Sequence, residues 1–266
     1  MKLETIEYPF TVLTPCFCGG AESKTAKTAK AEMRSASVRG MIRFWHRHIA
    51  KVDYVNEIWG SASGGEGNAS RVKLTVQFDL SKLETSSADI LPHKKSGPRS
   101  AMSPNQGFNL ILTRMPNCAK PHWDEAQKAV KLWLILGCLG LRSNRAAGSV
   151  WPIGDWVPHD KSSLQIFLKE SCYKEPCAMA DASLGSRACD LREAASDTLG
   201  GHETIFGGIK PSRQSSPIKF KVISLAGEPR LLITAPGKDS MFLEKARSVL
   251  AEGRKNLGKV KWQDII

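Results

Sequence analysis

The chain of 266 residues is 41% hydrophobic and 24% charged, an ordinary balance for a folded globular protein that excludes wholesale disorder. Its 38 Lys and Arg residues exceed its 26 Asp and Glu residues, and the net charge of +12 favours a polyanionic partner over a neutral metabolite. The longest apolar stretch, residues 132–141, is interrupted by glycine and is too short for a membrane span, and the first residues are unlike a signal peptide. These features predict a cytoplasmic chain with no membrane partner.

The first elements are defined by their periodicity. Residues 9–14 are typical of a short strand that ends at Pro15. From Ser35 onward, apolar residues recur at steps of four and three, which predicts an amphipathic helix. The buried stripe of this helix would consist of Val38, Ile42, Trp45, Ile49 and Val52. After a glycine-rich loop at residues 59–68, residues 72–78 alternate between apolar and polar side chains, as in a strand with one buried face.

The elements that follow complete a known order of strands and helices. Residues 81–107 have no convincing periodicity and predict a long insertion. Residues 108–113 predict a strand, and residues 123–139 predict a second, buried helix. Up to about Trp156 the order is therefore strand, helix, strand, strand, helix, strand. This order predicts an α+β, ferredoxin-like (RRM-like) domain over residues 1–160, with two helices on one face of an antiparallel sheet.

Residues 161–266 predict a less regular C-terminal α+β part. Residues 164–168 suggest a strand, and residues 186–198 a short helix. Residues 219–225 and 230–234 predict a hairpin, and residues 242–250 a last helix. No repeat is strong enough to predict a second complete copy of the first half, so a partial second domain of the same kind stays open.

Basic side chains follow one face of the first predicted helix. Arg39, Arg43, Arg47 and Lys51 are spaced four residues apart, which puts them in one sector opposite the apolar stripe. Upstream, this basic face is extended by Lys24, Lys27, Lys30 and Arg34, and only Glu32 opposes the eight basic residues between positions 24 and 51. Like charges at this spacing repel by about a few tenths of a kcal/mol, which a polyanion would relieve.

A second basic segment follows the second helix. There Arg142 and Arg145 lie between Gly140 and Gly148, whose backbone freedom would let N–H groups approach a phosphate. The complete set of predicted RNA-binding residues is Arg39, Gly40, Arg43, Arg47, Lys51, Arg71, Lys73, Gly140, Arg142, Arg145 and Gly148. Two tryptophans beside flexible loops, Trp59 and Trp151, are candidates for base stacking, whereas Trp45 and Trp133 lie on apolar faces and are predicted to be core.

Three segments carry a family resemblance. They are residues 14–20 (TPCFCGG), residues 35–45 (SASVRGMIRFW) and residues 139–149 (LGLRSNRAAGS). In this order they resemble the signatures of the RAMP superfamily, and among its members those of the first subunit of the Cmr (type III-B CRISPR) effector. Residues 59–61 followed by 69–72 are also similar to that family, and residues 212–218 are a weaker match. The sequence departs from the family pattern at His46, where an aromatic is frequent, and at Ala146 and Ala147.

The resemblance implies a function and partners. It implies a ferredoxin-like core that contacts CRISPR guide or target RNA, in single-stranded form, through the start of the first helix and the glycine-rich loop. It also implies a non-catalytic subunit that assembles with other RAMP subunits in a ribonucleoprotein for antiviral defence, since target cutting belongs to a different subunit. The chain is short for a subunit of this type, which usually carries two RAMP domains.

Two alternatives remain open. Guide-processing relatives cleave RNA without metal by general acid–base chemistry, for which His46 and His48 are the candidates here. The basic face could instead meet an acidic protein partner. The seven scattered cysteines favour reduced thiols, and no zinc spacing, nucleotide-binding fingerprint or carboxylate cluster is present, so the sequence predicts no metal, cofactor or catalytic residue.

Overall fold

The computed structural model describes residues 3–19, 32–62, 67–92, 97–181, 187–197, 202–208, 214–253 and 257–266. In the first half of the chain the elements are, in order, β1 (Thr5–Val12), α1 (Ser35–His46), α2 (Val52–Trp59), β2 (Val72–Gln77), β3 (Thr85–Asp89), β4 (Pro98–Met102), β5 (Gly107–Arg114), α3 (Lys120–Leu136) and β6 (Val150–Pro152). A 3-10 turn, Leu80–Lys82, follows β2.

Four of these strands form an antiparallel sheet in the order β2-β5-β1-β6. In β1, Tyr8, Phe10 and Val12 point into the core, while Glu7 and Pro9 are exposed on the outer face. This alternation is the period of two that one buried sheet face imposes. Trp45 of α1 and Trp133 of α3 belong to the same core, which confirms that both tryptophans are buried.

The first helix ends earlier than its apolar stripe predicted. Val38, Ile42 and Trp45 are fully buried, as expected. However, α1 ends at His46, and Lys51 has an extended backbone that separates it from α2. Val52 therefore belongs to a different helix and is 53% exposed, so its assignment to the buried stripe is wrong.

The insertion at residues 81–107 contains regular structure. Strands β3 and β4 form an antiparallel hairpin, and Met102 at its end pairs with Cys16 in the loop after β1. The expectation of an irregular insertion is thus wrong in this part. Because only Ala101 and Met102 of the hairpin are buried, its sequence lacks the apolar alternation that would have predicted strands.

The second half contains α4 (Lys161–Glu170), β7 (Cys177–Ala180), α5 (Ala188–Ser196), α6 (Glu203–Phe206), β8 (Lys219–Leu225), β9 (Glu228–Thr234), α7 (Ser240–Gly253) and β10 (Trp262–Asp264). The predicted hairpin, short helix and last helix are confirmed. The strand predicted at residues 164–168 is wrong, because Asp160 and Ser163 form a capping box that starts α4 there.

The second sheet has the order β10-β7-β9-β8 and is antiparallel. It is buried on both faces. Met179, Ile223 and Leu232 join the core that contains α1 and α3, whereas Phe220 and Val222 pack in a second core with residues of α5 and α7. The protein is therefore a mixed α+β structure layered as sheet, helices, sheet, helices.

No helix in the described ranges combines the length and the apolar character needed to cross a membrane.

Candidate nucleic-acid interface

The first helix and the glycine-rich loop at residues 137–149 lie side by side. Residues 17 and 18, which follow β1, contact both: the Phe17 carbonyl accepts a hydrogen bond from Leu141 N–H at 3.0 Å, and the Cys18 carbonyl accepts one from Glu32 N–H at 2.8 Å, just before α1. Lys219 of β8 contacts both segments: its Nζ lies 5.0 Å from the Phe44 ring centroid of α1 and donates to Asn144 Oδ1 of the loop at 2.9 Å. The N-terminal end of α1, its residue Phe44 and the loop are therefore close to one another.

Two glycines of the loop are needed for packing inside the protein. Gly140 has φ +87°, and a Cβ there would lie 2.7 Å from the Phe17 carbonyl oxygen. Gly148 has φ +63°, and a Cβ there would lie 1.9 Å from the Leu139 carbonyl oxygen. A side chain at either position would collide with backbone, so the space that these glycines leave is filled by the chain itself rather than left for a phosphate.

Gly40 differs from these two residues. It is exposed on α1, and an added Cβ would meet nothing within 4 Å. Glycine inside a helix costs about 1 kcal/mol relative to alanine, and no contact within the described protein requires it. Gly40 therefore leaves a stretch of helix backbone open to an external ligand.

The arginines of α1 have neutral partners. Arg39 donates to the Trp59 carbonyl oxygen, and Arg43 donates to Asn56 Oδ1 at 2.9 Å. Burial, together with the like charges of Arg47 and Arg39, lowers the pKa of Arg43. Arg47 is exposed at the end of the helix. These three cations thus form one basic strip without a paired carboxylate in the described part of the chain.

Lys51 is exposed but precedes α2, so its predicted place on the first helix is wrong. The upstream lysines, Lys24, Lys27 and Lys30, lie outside the described residues.

The two arginines of the loop have opposite environments. Arg142 is exposed with φ +61°, and no ion pair holds it within the described residues. Arg145 is only 6% exposed and donates to the Phe206 carbonyl oxygen at 2.5 Å and to Ser216 Oγ at 3.2 Å. Its guanidinium also lies 5.6 Å from the Phe220 ring centroid, and burial lowers its pKa to about 10. We therefore correct its assignment: Arg145 holds the loop to the second half instead of contacting RNA.

The basic residues at the start of β2, Arg71 just before it and Lys73 within it, do not extend this strip. Arg71 is paired with Glu57 at 2.5 Å and also donates to the Glu57 carbonyl oxygen at 3.2 Å, which occupies its guanidinium internally. Lys73 is exposed opposite Thr113, on the face of the first sheet that points away from α1 and α3. Neither residue is brought together with the loop.

The predicted stacking tryptophans are buried. Trp59 is fully buried, and its indole N–H donates to His46 Nδ1 at 2.9 Å. Trp151 is 6% exposed and lies under Lys221, whose Nζ is 5.9 Å from its ring centroid. Because neither ring presents a face to solvent, base stacking on them is excluded in this conformation.

The two histidines that were candidates for catalysis, His46 and His48, both contact other side chains of the protein. His46 is fully buried, with Nδ1 occupied by Trp59 and Nε2 3.4 Å from Glu125 Oε1. His48 Nδ1 lies 3.0 Å from Glu175 Oε1. Across the described ranges, no group of three His, Cys, Asp or Glu side chains could hold a metal ion.

Three basic residues that lie near the loop were not predicted as site residues from the sequence. They are Arg192, which lies over the Phe17 ring at 5.2 Å, and Lys219 and Lys221 of β8. Lys219 and Lys221 occupy alternate positions of a largely apolar strand (KFKVISL). This was the signal available in the sequence, since lysine is rarely buried.

The loop region carries positive charge that pairs with no carboxylate among the described residues. Arg145, Lys219 and Lys221 all donate to carbonyl or hydroxyl oxygens rather than to carboxylates. The charge of Arg142 contributes to lowering the pKa of both Arg145 and Arg192. We use the name helix–loop surface for Arg39, Gly40, Arg43, Arg47 and Arg142. Its two exposed cations, Arg47 and Arg142, suit a polyanion.

Similar folds occur among solved structures. Cmr1 from Pyrococcus furiosus aligns with a TM-score of 0.65 at 15% identity, covering 98% of each chain. A chain of the type III-B Cmr-beta complex bound to cognate target RNA aligns with a TM-score of 0.54 at 11% identity, covering 92% of this chain and 98% of that one. No curated protein matches the sequence. The family model of the RAMP superfamily matches residues 9–151, more than half of the chain, and the protein therefore belongs to the RAMP superfamily.

Proposed function

We propose that this protein is a non-catalytic RNA-binding subunit of a type III CRISPR effector ribonucleoprotein, and that it holds the backbone of guide or target RNA on the helix–loop surface. The carrying observation is the convergence of α1 and the loop, where exposed Arg47 and Arg142 have no ion pair in the described part of the chain. Contacts of arginine with phosphates depend little on base sequence, as a subunit that accepts many guides requires.

The fold supports this assignment. Apart from α2, the β3–β4 hairpin, α4 and α6, each half has the order strand, helix, strand, strand, helix, strand. In both sheets these four strands lie side by side in the order second, third, first and fourth along the chain. We take residues 1–160 as one ferredoxin-like RAMP domain and residues 161–266 as a second, the arrangement expected of the family. Other RAMP subunits of a cytoplasmic complex are the proposed protein partners.

The test is a double charge reversal, Arg47→Glu with Arg142→Glu. We expect the affinity for single-stranded RNA to fall by at least about tenfold, because two phosphate contacts are lost. The slope of log K against log salt should shrink by about 0.7 for each lost contact. Fluorescence anisotropy over a salt series measures both quantities.

The matched control is Lys169→Glu with Lys245→Glu, which changes the net charge equally at exposed positions of α4 and α7. This control should retain most of the affinity. Equal losses in both double variants would indicate a nonspecific charge effect, and unchanged binding in the Arg47→Glu, Arg142→Glu variant would refute the proposal.

Incubation of the protein with repeat RNA tests the non-catalytic role. A defined cleavage product that the His48→Ala variant no longer forms would favour the alternative function, a guide-processing ribonuclease.

A further inference from the structure

Lys219, at the start of β8, comes from the second half of the chain and reaches the glycine-rich loop of the first half. Its Nζ donates to Asn144 Oδ1 at 2.9 Å and to the Ser216 carbonyl oxygen at 3.3 Å. On its other side lies the ring of Phe44 of α1, with the ring centroid 5.0 Å from Nζ. Lys219 thus stands between the two segments that carry the helix–loop surface.

We infer that Lys219 is a phosphate-binding residue of the RNA path, so that the path crosses from the first half of the chain onto the second. This inference rests on the proposed function and deepens it. An ammonium group has three N–H donors, and the two neutral acceptors use two of them. Among the described residues the third N–H has no oxygen or nitrogen acceptor, only the Phe44 ring near Nζ, so a phosphate oxygen that enters between the helix, the loop and β8 would complete its hydrogen bonding.

The charges around Lys219 support an external anion. Burial and the like charge of Arg145 lower the pKa of Lys219 to about 8. The groups that face Lys219 are Arg145 of the loop, Cys138 after α3 and the uncharged ring of Phe44. The Phe44 ring also contacts His48. Burying a cation without a paired carboxylate is costly. A phosphate that enters the site offsets this cost.

Lys221 provides an internal comparison two residues away. It is 2% exposed, and its Nζ donates to the Leu134 carbonyl oxygen at 2.6 Å within the core. Burial lowers its pKa as well, to about 7. Lys219 is only partly buried, whereas Lys221 is buried. A phosphate therefore reaches Lys219 but not Lys221.

The experiment compares Lys219→Met, Lys219→Arg and Lys221→Met by anisotropy with an oligouridylate. Lys219→Met should bind about tenfold more weakly, as expected for one lost charge-assisted contact, while Lys221→Met should bind like the unchanged protein. A pH series adds a readout that a structural role would not move. The affinity of the unchanged protein should fall as the pH rises through about 8, where Lys219 loses its proton, and Lys219→Arg should bind with a flatter profile.

The outcomes separate this inference from the proposed function. If Lys219→Met binds normally while the Arg47→Glu, Arg142→Glu variant does not, Lys219 lies off the RNA path and only the inference fails. If both variants bind normally, the proposed function fails as well. If Lys219→Met does not fold, the pH profiles of the unchanged protein and Lys219→Arg decide, and identical profiles overturn the inference.

Discussion

Arg145 and Arg142 are three residues apart, yet burial gives them different roles. Arg145 is enclosed by Phe206, Ser216 and Phe220, all contributed by the second half of the chain. Arg142, at φ +61°, is exposed, although partial burial of its guanidinium still lowers its pKa. We therefore expect Arg145 to contribute to stability and Arg142 to ligand binding.

Replacing Arg145 with alanine should lower the free energy of unfolding by about 3 kcal/mol, because its hydrogen-bond partners lose a donor and a buried cavity remains. Arg142→Ala, the matched control, should change stability by less than about 0.5 kcal/mol while weakening RNA binding. Urea denaturation measures the difference. A midpoint for Arg145→Ala equal to that of Arg142→Ala would contradict the structural role of Arg145.

Within single elements, glycines reveal where the chain is crowded and where it is open. Gly148 lies against backbone in the loop, whereas Gly40 lies open on α1. Local sequence gives no sign of this difference, since both glycines stand close to arginines.

We expect Gly40→Ala to raise the free energy of unfolding by about 1 kcal/mol, since alanine is the better helix residue and nothing obstructs its Cβ. If RNA approaches the α1 backbone at this point, Gly40→Leu should weaken binding without loss of stability. Gly148→Ala should instead destabilise by more than about 1 kcal/mol, because its positive φ and the Leu139 carbonyl oppose a side chain. Thermal unfolding measures the stability of the three variants, and anisotropy measures their RNA binding. Equal changes in stability for Gly40→Ala and Gly148→Ala would disprove the difference between an open and a crowded glycine.

At the scale of the whole molecule, the two halves share a core. Met179, Ile223 and Leu232 of the second sheet are buried in one cluster with α1 and α3. Tyr173 also packs beside Trp45, with ring centroids 6.1 Å apart. The helices of the first half are therefore covered on both sides, by their own sheet and by the second one.

A fragment of residues 1–160 should consequently lack a cooperative unfolding transition, because removing the second sheet exposes the apolar surface of α1 and α3. The full chain should unfold in one transition. Circular dichroism during heating distinguishes the two cases. A sharp transition in the fragment would show that the first half folds by itself and that the shared core adds little.

The strongly periodic parts of the fold could be predicted from the sequence. The stripe Val38, Ile42 and Trp45 and the β8–β9 hairpin are encoded by neighbours along the chain, so local patterns suffice for them. The hairpin β3–β4 and helix α4 were missed, because the first buries few apolar residues and the second depends on a capping box.

By itself, the sequence determined the family motifs, the amphipathic first helix and the excess of positive charge over residues 24–51 and in the loop. Only the tertiary structure decided which cations are open to a ligand. Arg145 and Trp59 were candidates for RNA binding by their position in the sequence, but both are buried. Lys219, which was not a candidate, contacts Phe44 and Asn144. The physical reason is that burial and hydrogen bonding arise from contacts between segments far apart in the chain, which no local pattern encodes.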